Sequence, residues 1–280
     1  MLKDFLVHIP VDDRTNAIID CSISLAQHFG AHLDGVVRVY ETFNSAVAIA
    51  VPSTAMELTT VFEPNLEIAA GILEQFETAA KAAGIPHGFR TICEEASSVW
   101  QSATDLSRLY DLIVVAQPDL GKPTNDDPLV ETLLLRGGRP LLVVPYIHRG
   151  PLQANHIMIC WDGGSSAARA VHDAMPFLRK ATTVDVVAVN GSEAAARNAP
   201  EALKDHLARH GVAAHVHRLF SDETEVHDVL LSFAADVDAG LIVMGGYGHS
   251  KLREYVLGGV TRGILETMTV PVLMWHCSVR

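Results

Sequence analysis

The residues whose types and spacing best suit chemistry form a glycine-rich segment near the C-terminus, between a predicted strand and a predicted helix. Residues 245–261 read GGYGHSKLREYVLGGVT. Glycines at the end of a strand allow positive φ and bring backbone N–H groups close to an anion, because no Cβ stands in the way. Gly258 and Gly259 then open the helix, whose first N–H groups lack intrahelical partners and whose dipole attracts negative charge. The segment therefore predicts a binding site for a phosphate group.

The polar side chains near this segment allow two interpretations. Lys251, Arg253 and Arg262 either add positive charge to the site or form solvated surface. His249 and Ser250 either touch the phosphate or face solvent. The prediction depends on the backbone N–H groups and not on these side chains.

Several enzyme classes are disfavoured by the motifs. The chain has no GxxxxGK[ST] motif, and no third glycine follows Gly246 and Gly248 at the dinucleotide spacing, which argues against a P-loop ATPase and a Rossmann dehydrogenase. We identify no nucleophile elbow and no catalytic carboxylate pair. We therefore predict no catalytic residues and slow or absent turnover, and ATP hydrolysis at the site would call for a divalent ion such as Mg²⁺.

Two histidine pairs have a spacing that metal ligands use. His215 and His217 share one face of a predicted strand, and His206 and His210 are one helical turn apart. No cysteine or carboxylate cluster completes a tetrahedral set around either pair. We predict that both pairs are structural or solvated, and that the chain has no metal site.

Short apolar runs rich in Val, Ile and Leu alternate with helical patterns along the chain, which is typical of buried parallel strands joined by crossover helices. The predicted strands are 4–11, 34–40, 87–93, 111–117, 140–145, 156–161, 184–190, 213–220, 240–245 and 271–276. The predicted helices are 14–29, 63–84, 96–109, 128–137, 165–180, 193–210, 223–237 and 258–268. The fold class is α/β, with two tandem flavodoxin-like or Rossmann-like domains that each have a five-stranded parallel sheet flanked by helices.

The second half of the chain repeats the first. The matching segments are Val11-Asp12 with Trp161-Asp162 and Gly35–Val39 with Asp185–Val189, both at an offset of 150, and Asp111–Val115 with Gly240–Met244 at an offset of 129. The drop in offset places an insertion in the first half, at Thr42–Pro64. Its apolar composition suits a flap on its own domain, a lid or a subunit contact.

The domain boundaries follow from the repeat: one domain spans 1–148 and the other 154–280, with a linker at Ile147–Asn155. Residues 1–150 carry 10 basic and 19 acidic residues, and residues 151–280 carry 11 and 14, for a net charge of −12. Such a chain gains nothing from counterion release, so we predict no nucleic-acid partner and no binding to an anionic membrane. A phosphate site belongs in the less acidic second half.

The N-terminal residues offer no apolar stretch long enough for a signal peptide or a membrane helix, and we predict a cytoplasmic protein. Four cysteines are scattered without a CxxC pair: Cys21, Cys93, Cys160 and Cys277. We expect reduced, mostly buried thiols and not a disulfide framework.

The glycine segment resembles that of the universal stress protein family, whose nucleotide-binding members carry Gly-x2-Gly-x9-Gly followed by Ser or Thr. Gly245, Gly248 and Gly258 match this spacing. The resemblance spans both halves, is strongest from Ile157 to His276, and implies binding of ATP or a related adenine nucleotide such as AMP or ADP. The residues it assigns to the site are Asp162, Val189, Met244, Gly245, Gly248, His249, Gly258, Gly259, Val260 and Thr261.

The chain departs from the family pattern at three places. Gly259 replaces the Ser or Thr that donates a hydroxyl to the phosphates, and Trp161 precedes Asp162 where the family has a small residue or Val. In the first half the aligned loop reads Ala116–Asp119, with both glycines lost and an acidic side chain at the phosphate position. There Asp12 is expected to cap the following helix. The resemblance thus implies one working site, in the C-terminal domain.

The family also implies how the halves assemble. Its paired domains meet through their last strands, so Leu141–Pro145 is expected near Val272–Trp275 in an internal pseudo-dimer, and a further homodimer is expected. The resulting hypothesis is a nucleotide-binding stress sensor or regulator. Two alternatives stay open: a slow metal-dependent ATPase at the same site, and a protein that binds no nucleotide and works through contacts made by the insertion.

Overall fold

A computed structural model describes residues 2–40, 63–94, 101–119, 121, 124, 126–189, 199–221, 225–247 and 259–276. Over these residues the strands are β1 (Asp4–Ile9), β2 (His32–Tyr40), β3 (His87–Glu94), β4 (Leu112–Ala116), β5 (Leu141–Val144), β6 (His156–Cys160), β7 (Thr183–Val189), β8 (His215–Leu219), β9 (Leu241–Gly245) and β10 (Val272–Trp275). The helices are α1 (Thr15–Phe29), α2 (Glu63–Ala82), α3 (Gln101–Ser107), α4 (Leu129–Arg136), α5 (Ser165–Leu178), α6 (Pro200–Arg209), α7 (Val226–Asp236) and α8 (Gly259–Thr267). Every predicted element is present; the starts of the helices predicted at 96–109 and 193–210 lie outside the described residues, and the other ends differ by a few residues.

The strands form one sheet in the order β3-β2-β1-β4-β5-β10-β9-β6-β7-β8. Pairing is parallel within each half and antiparallel between β5 and β10, where Leu142 lies opposite Leu273. The expected pseudo-dimer is confirmed, because the last strands of the two halves meet and join two five-stranded sheets. Each half has its topological switch point between its first and fourth strands, and there the strand order reverses.

Two apolar layers cover the sheet, and each extends across both halves. One layer packs α1, α2, α5 and α6 against the sheet and includes the fully buried rings of Phe5, Phe76 and Phe177. The other packs α3, α4, α7 and α8. The rings of Phe29 and Phe177 meet edge to face with centroids 4.7 Å apart. Since residues of both halves contribute to each layer, the halves stabilise each other.

The strand register corrects the repeat offset of the second strand. Phe5 pairs with Leu33 and Leu112, and Ile157 pairs with Val184 and Leu241. At the predicted offset of 129 Leu112 corresponds to Leu241, which makes Phe5 the equivalent of Ile157, 152 positions later, and Leu33 the equivalent of Val184, 151 positions later. The predicted match of Gly35–Val39 with Asp185–Val189 at an offset of 150 is therefore wrong by one residue, whereas the match of Val11-Asp12 with Trp161-Asp162 lies beyond the paired residues of β1 and β6. Because a slip of one residue moves a side chain to the other face of the sheet, the correction changes which residues are equivalent.

Some predictions fall outside the described residues or are wrong. The insertion predicted at 42–64 lies outside them except for its last two residues, which begin α2. Cys21 is buried, but Cys93 on the edge strand β3 is exposed, contrary to the expectation of mostly buried thiols. In the part of the chain that the structure describes, no helix has the length and apolar character needed to cross a membrane.

Candidate functional site

The C-terminal candidate site lies at the carboxyl edge of three neighbouring strands. Cys160 at the end of β6 pairs with Val187 of β7 on one side and with Met244 of β9 on the other. The residues that follow these strand ends, Asp162 and Gly245 among them, therefore converge at the switch point between β6 and β9. The structure brings the predicted strand-end residues to one edge, where an open α/β sheet binds its ligands.

Gly245 is needed for packing. A Cβ at Gly245 would lie 2.6 Å from the Ala167 nitrogen and 2.8 Å from the Ser166 carbonyl carbon, both in the backbone of α5. At Gly246 a Cβ would lie 2.6 Å from the Leu134 side chain, which belongs to α4 of the other half. These glycines let β9 approach α5 and let the two halves come together.

Gly259 is in a different situation. It is the first residue of α8, and a Cβ there would have nothing within 4 Å. The first N–H groups of a helix lack intrahelical partners and can bind an anion. Gly259 is therefore a described motif position at which packing does not require a glycine.

The end of β9 contacts the first turn of α8. The Tyr247 N–H donates to Oγ1 of the buried Thr261 at 3.1 Å, and Tyr247 has a left-handed φ of 52°. Burial raises the pKa of the Tyr247 hydroxyl to about 12, with a smaller contribution from Glu131. Arg262 pairs with Glu266 at 2.6 Å. Thr261 thus connects α8 to the end of β9, and Arg262 forms an exposed ion pair.

The other predicted site residues occupy varied environments. Asp162 accepts a hydrogen bond from the Gly164 N–H at 2.8 Å, in a turn that leads into α5. The Met244 side chain is buried in the layer of α7 and α8, and Val189 and Val260 pack against the same layer. Gly248, His249 and Gly258 lie outside the described residues.

Next to Asp162, the Cys160 thiol is not a nucleophile at neutral pH. Burial raises its pKa to about 12, and the Asp162 carboxylate raises it further. A protonated thiol in this position packs as a small apolar group.

The switch point of the N-terminal half is filled by its own side chains. The Arg14 guanidinium, 6% exposed, pairs with the Asp12 carboxylate and donates to the Gln117 carbonyl oxygen at 2.6 Å. Asp12 does not cap α1 as predicted, since the residue before the helix is Arg14 and no side chain caps it. Asp12 instead holds Arg14 across the edge of the sheet.

A second buried arginine, Arg38, also occupies the switch point of the N-terminal half. Arg38 is 3% exposed, and its Nη1 lies 4.0 Å from Oδ1 of Asp126, which also accepts a hydrogen bond from the Tyr40 hydroxyl. Burial lowers the pKa of the neighbouring His8 to about 3, and Arg38 lowers it too, so the imidazole is neutral. The acidic residue at this edge is Asp126. The predicted one, Asp119, turns its carboxylate back to the Gly121 N–H at 2.9 Å.

Gln117 connects this filled edge to the C-terminal half. It is fully buried, its Nε2 donates to the carbonyls of Leu265 at 2.8 Å and Glu266 at 3.3 Å, and its Oε1 accepts from the Tyr146 N–H at 3.1 Å. The two carbonyls belong to the last turn of α8, where intrahelical donors run out. Gln117 thus fastens the C-terminal end of the helix whose N-terminal end is the candidate phosphate site.

A carboxylate that contacts histidine occurs in both halves, buried in the C-terminal half and partly buried in the N-terminal half, and sequence reasoning missed it. Asp185 lies 2.6 Å from Nε2 of His156 and 2.9 Å from Nε2 of His217. Its burial alone would raise its pKa, but these two hydrogen bonds outweigh burial and the pKa is lowered. With the corrected offset of 151, Asp34 is its equivalent and has His32 at 2.8 Å. The described residues hold no group of three or more His, Cys, Asp or Glu placed to bind a metal.

The two switch points differ in what the structure shows there. In the first half two buried arginines and their carboxylates occupy the edge, whereas at the start of α8 a Cβ on Gly259 would meet nothing within 4 Å. Arg14, Gln117 and Asp185 gave no motif in the sequence. The two aspartates that directly precede Arg14 in the sequence were the only available indication that this arginine forms an ion pair after β1.

Comparisons with known proteins identify a family for the C-terminal half and related folds for the whole chain. Residues 154–276 match the model of the Universal stress protein family. The fold resembles a universal stress protein from Archaeoglobus fulgidus, with a TM-score of 0.71, 14% identity and 97% of each chain covered. It also resembles a functionally unknown protein from Pseudomonas aeruginosa, with a TM-score of 0.64, 16% identity, and 98% of this chain and 92% of that one covered. No curated protein matches the chain significantly.

Proposed function

We propose that the C-terminal half, whose residues 154–276 match the Universal stress protein family, binds ATP or a related adenine nucleotide and that the protein acts as a nucleotide-responsive sensor or regulator. The observation that carries the proposal is the start of α8 at Gly259, whose first turn meets the end of β9 through the hydrogen bond from the Tyr247 N–H to Thr261 Oγ1 at 3.1 Å. Backbone N–H groups at such a helix start bind phosphate through hydrogen bonds and the helix dipole. Asp162 lies on the neighbouring strand end, where it would face the ribose or base.

The N-terminal half has a supporting role in this proposal. Its own switch point is filled by the Arg14 and Arg38 clusters, and Gln117 fastens the far end of α8. The two halves share both apolar layers, so a change in one half reaches the other through packed side chains. The N-terminal half would therefore hold α8 in place while the C-terminal half binds ligand.

Hydrolysis is a weaker candidate. Among the described residues the candidate site contains one carboxylate, Asp162, and this group accepts the Gly164 N–H. Mg²⁺ would bind mainly to the phosphate oxygens of a bound ATP, since Mg²⁺ takes oxygen ligands and keeps several waters. We propose binding as the activity and slow hydrolysis at most.

The test uses two substitutions at Gly259. Gly259→Asp places a negative charge at the start of α8, where the dipole stabilises it by about 0.3–1 kcal/mol and the protein stays folded. The same charge repels phosphate, and we expect ATP affinity to fall by about tenfold or more. Gly259→Ala keeps the backbone N–H and is the matched control.

Calorimetry and the ATP-induced shift in melting temperature are the measurements. Unchanged ATP affinity in Gly259→Asp, or the same loss in Gly259→Ala, would contradict the assignment of α8. Gly259→Ser restores the hydroxyl that the family pattern has, and we expect it to bind ATP more tightly than the native chain.

A further inference from the structure

One backbone position is used in both halves to contact the other half. Gln117 directly follows β4 and Gly246 directly follows β9, and the two residues correspond at the offset of 129. The Gln117 N–H donates to the Val144 carbonyl at the end of β5, at 2.8 Å. The Gly246 N–H donates to the Trp275 carbonyl at the end of β10, also at 2.8 Å. The two residues therefore have the same backbone surroundings in their halves.

Each of these residues meets the last helix of the other half, but in a different way. Gln117 donates through its side chain to the Leu265 carbonyl of α8 at 2.8 Å. Gly246 has no side chain, and Leu134 of α4 fills the place of one. The three atoms nearest to a Cβ on Gly246 all belong to the Leu134 side chain, at 2.6, 3.3 and 3.5 Å. The N-terminal half thus contacts α8 at its last turn and the glycine segment at its second residue.

Leu134 is part of a closely packed layer. It is 3% exposed and packs with the residues of α4, α7 and α8 on one face of the sheet. Protein interiors have few voids, so a buried side chain fixes the position of the groups that it touches. The position of Gly246 therefore depends on Leu134.

The contact at Gly246 lies next to the proposed phosphate site. Tyr247 follows Gly246, and its N–H donates to Oγ1 of Thr261 in the first turn of α8 at 3.1 Å. Tyr247 also has a left-handed φ of 52°, which few residues other than glycine adopt, so its backbone has little freedom to adjust. A displacement of Gly246 is therefore passed on to the first turn of α8, where the helix N–H groups that bind an anion begin.

The same face of α4 also acts on Tyr247 through charge. Glu131 and Leu134 are three positions apart on α4, which places them on one side of the helix. Burial raises the pKa of the Tyr247 hydroxyl to about 12, and the Glu131 carboxylate raises it further. Two residues of the N-terminal half thus act on two adjacent residues of the glycine segment.

We propose that Leu134 of the N-terminal half is a positioning residue for the phosphates that the C-terminal half binds, acting through Gly246 and Tyr247 on the first turn of α8. The inference rests on the proposed nucleotide binding. It gives the N-terminal half a specific effect on that function, since a side chain of one half sets the phosphate affinity of the other without touching the ligand.

The test changes the contact from both sides. Leu134→Ala removes the side chain that abuts Gly246, and Gly246→Ala adds the methyl group that would meet it. The φ of Gly246 is not left-handed, so its backbone accepts alanine. In the double variant the added methyl group takes up part of the space that the leucine leaves. Leu133→Ala is the matched control, because Leu133 is the neighbouring leucine of α4 and is 1% exposed.

Calorimetry measures the affinities for ATP and adenosine. We expect ATP affinity to fall by about fivefold in Leu134→Ala and in Gly246→Ala, and to return to within about twofold of the native value in the double variant, since the effects of residues in contact are not additive. Leu133→Ala should lower the melting temperature as much as Leu134→Ala does and keep the native ATP affinity. Adenosine has no phosphate and should bind equally to all variants.

The outcomes separate this inference from the function on which it rests. If the native chain binds ATP, and Leu134→Ala and Leu133→Ala bind it equally well, the positioning role is wrong and nucleotide binding stands. Losses of ATP affinity that add in the double variant, or an equal loss of adenosine affinity, would also overturn it. If Leu134→Ala does not fold, Gly246→Ala decides, because it adds one methyl group and should still lose ATP affinity. If the native chain binds no ATP, both proposals fall.

Discussion

Replacing Gly245 by alanine is expected to destabilise the protein whether or not a nucleotide is present. The new Cβ would lie 2.6 Å from the Ala167 nitrogen, 2.8 Å from the Ser166 carbonyl carbon and 2.9 Å from the Ser166 Cβ. Two of these three atoms are helix backbone, which cannot turn aside as a flexible side chain could. The strand or α5 must shift as a whole.

Overpacking of this kind costs about 1–3 kcal/mol. At about 2 kcal/mol, a chain of this size would melt about 4–8 °C lower. Gly259→Ala, which meets nothing within 4 Å, should change the melting temperature by less than about 2 °C. Differential scanning calorimetry of both variants without ligand measures this contrast.

A melting temperature unchanged in Gly245→Ala, or lowered equally in Gly259→Ala, would refute the reasoning. The contrast also determines which glycine is informative about ligand binding. Loss of affinity on replacing Gly245 would report disturbed packing against α5, whereas loss on placing a charge at Gly259 reports the helix start itself.

Two further predictions concern the buried polar groups. Gln117→Leu removes the donor to the Leu265 carbonyl and the acceptor of the Tyr146 N–H. We expect the free energy of unfolding, measured in urea, to fall by about 1–3 kcal/mol, and the amide hydrogens of α8 to exchange faster. Exchange in α8 at the native rate would contradict the role of Gln117 as its anchor. The pKa of Asp185 is lower in the folded than in the unfolded protein. Its contribution to the free energy of unfolding is therefore complete above the unfolded-state pKa of about 4 and is lost as the pH falls through the folded-state pKa. Asp185→Asn should therefore lose less stability than the native chain between pH 5 and 3, measured by urea unfolding, and an unchanged acid slope would count against the His156 bond.

The elements and the fold class could be predicted from the sequence because their signals are local. Apolar runs of about six to eight residues and helical periodicity follow from the preferences of neighbouring residues. The meeting of the last strands, with Leu141–Pro145 near Val272–Trp275, was also predicted, although from family resemblance and not from the residues themselves.

The candidate site was only partly predictable. The glycine segment was found from its spacing, but Gly245 serves packing against α5 and Thr261 accepts the Tyr247 N–H. Arg14 and Asp126 fill the N-terminal edge, where the sequence pointed to Asp119 and to a helix cap at Asp12. The contact of Arg14 with Gln117 and that of Asp126 with Tyr40 join residues that are distant in sequence, so no local pattern marks them.

By itself the sequence determined that this chain is a repeated α/β protein with one glycine-rich edge, since strand and helix periods and glycine positions are properties of short segments. Only the tertiary structure decided which face of the sheet each side chain occupies. An offset of 150 pairs Gly35 with Asp185, and the observed 151 pairs Asp34 with it, which brings the two carboxylates that contact histidines into correspondence.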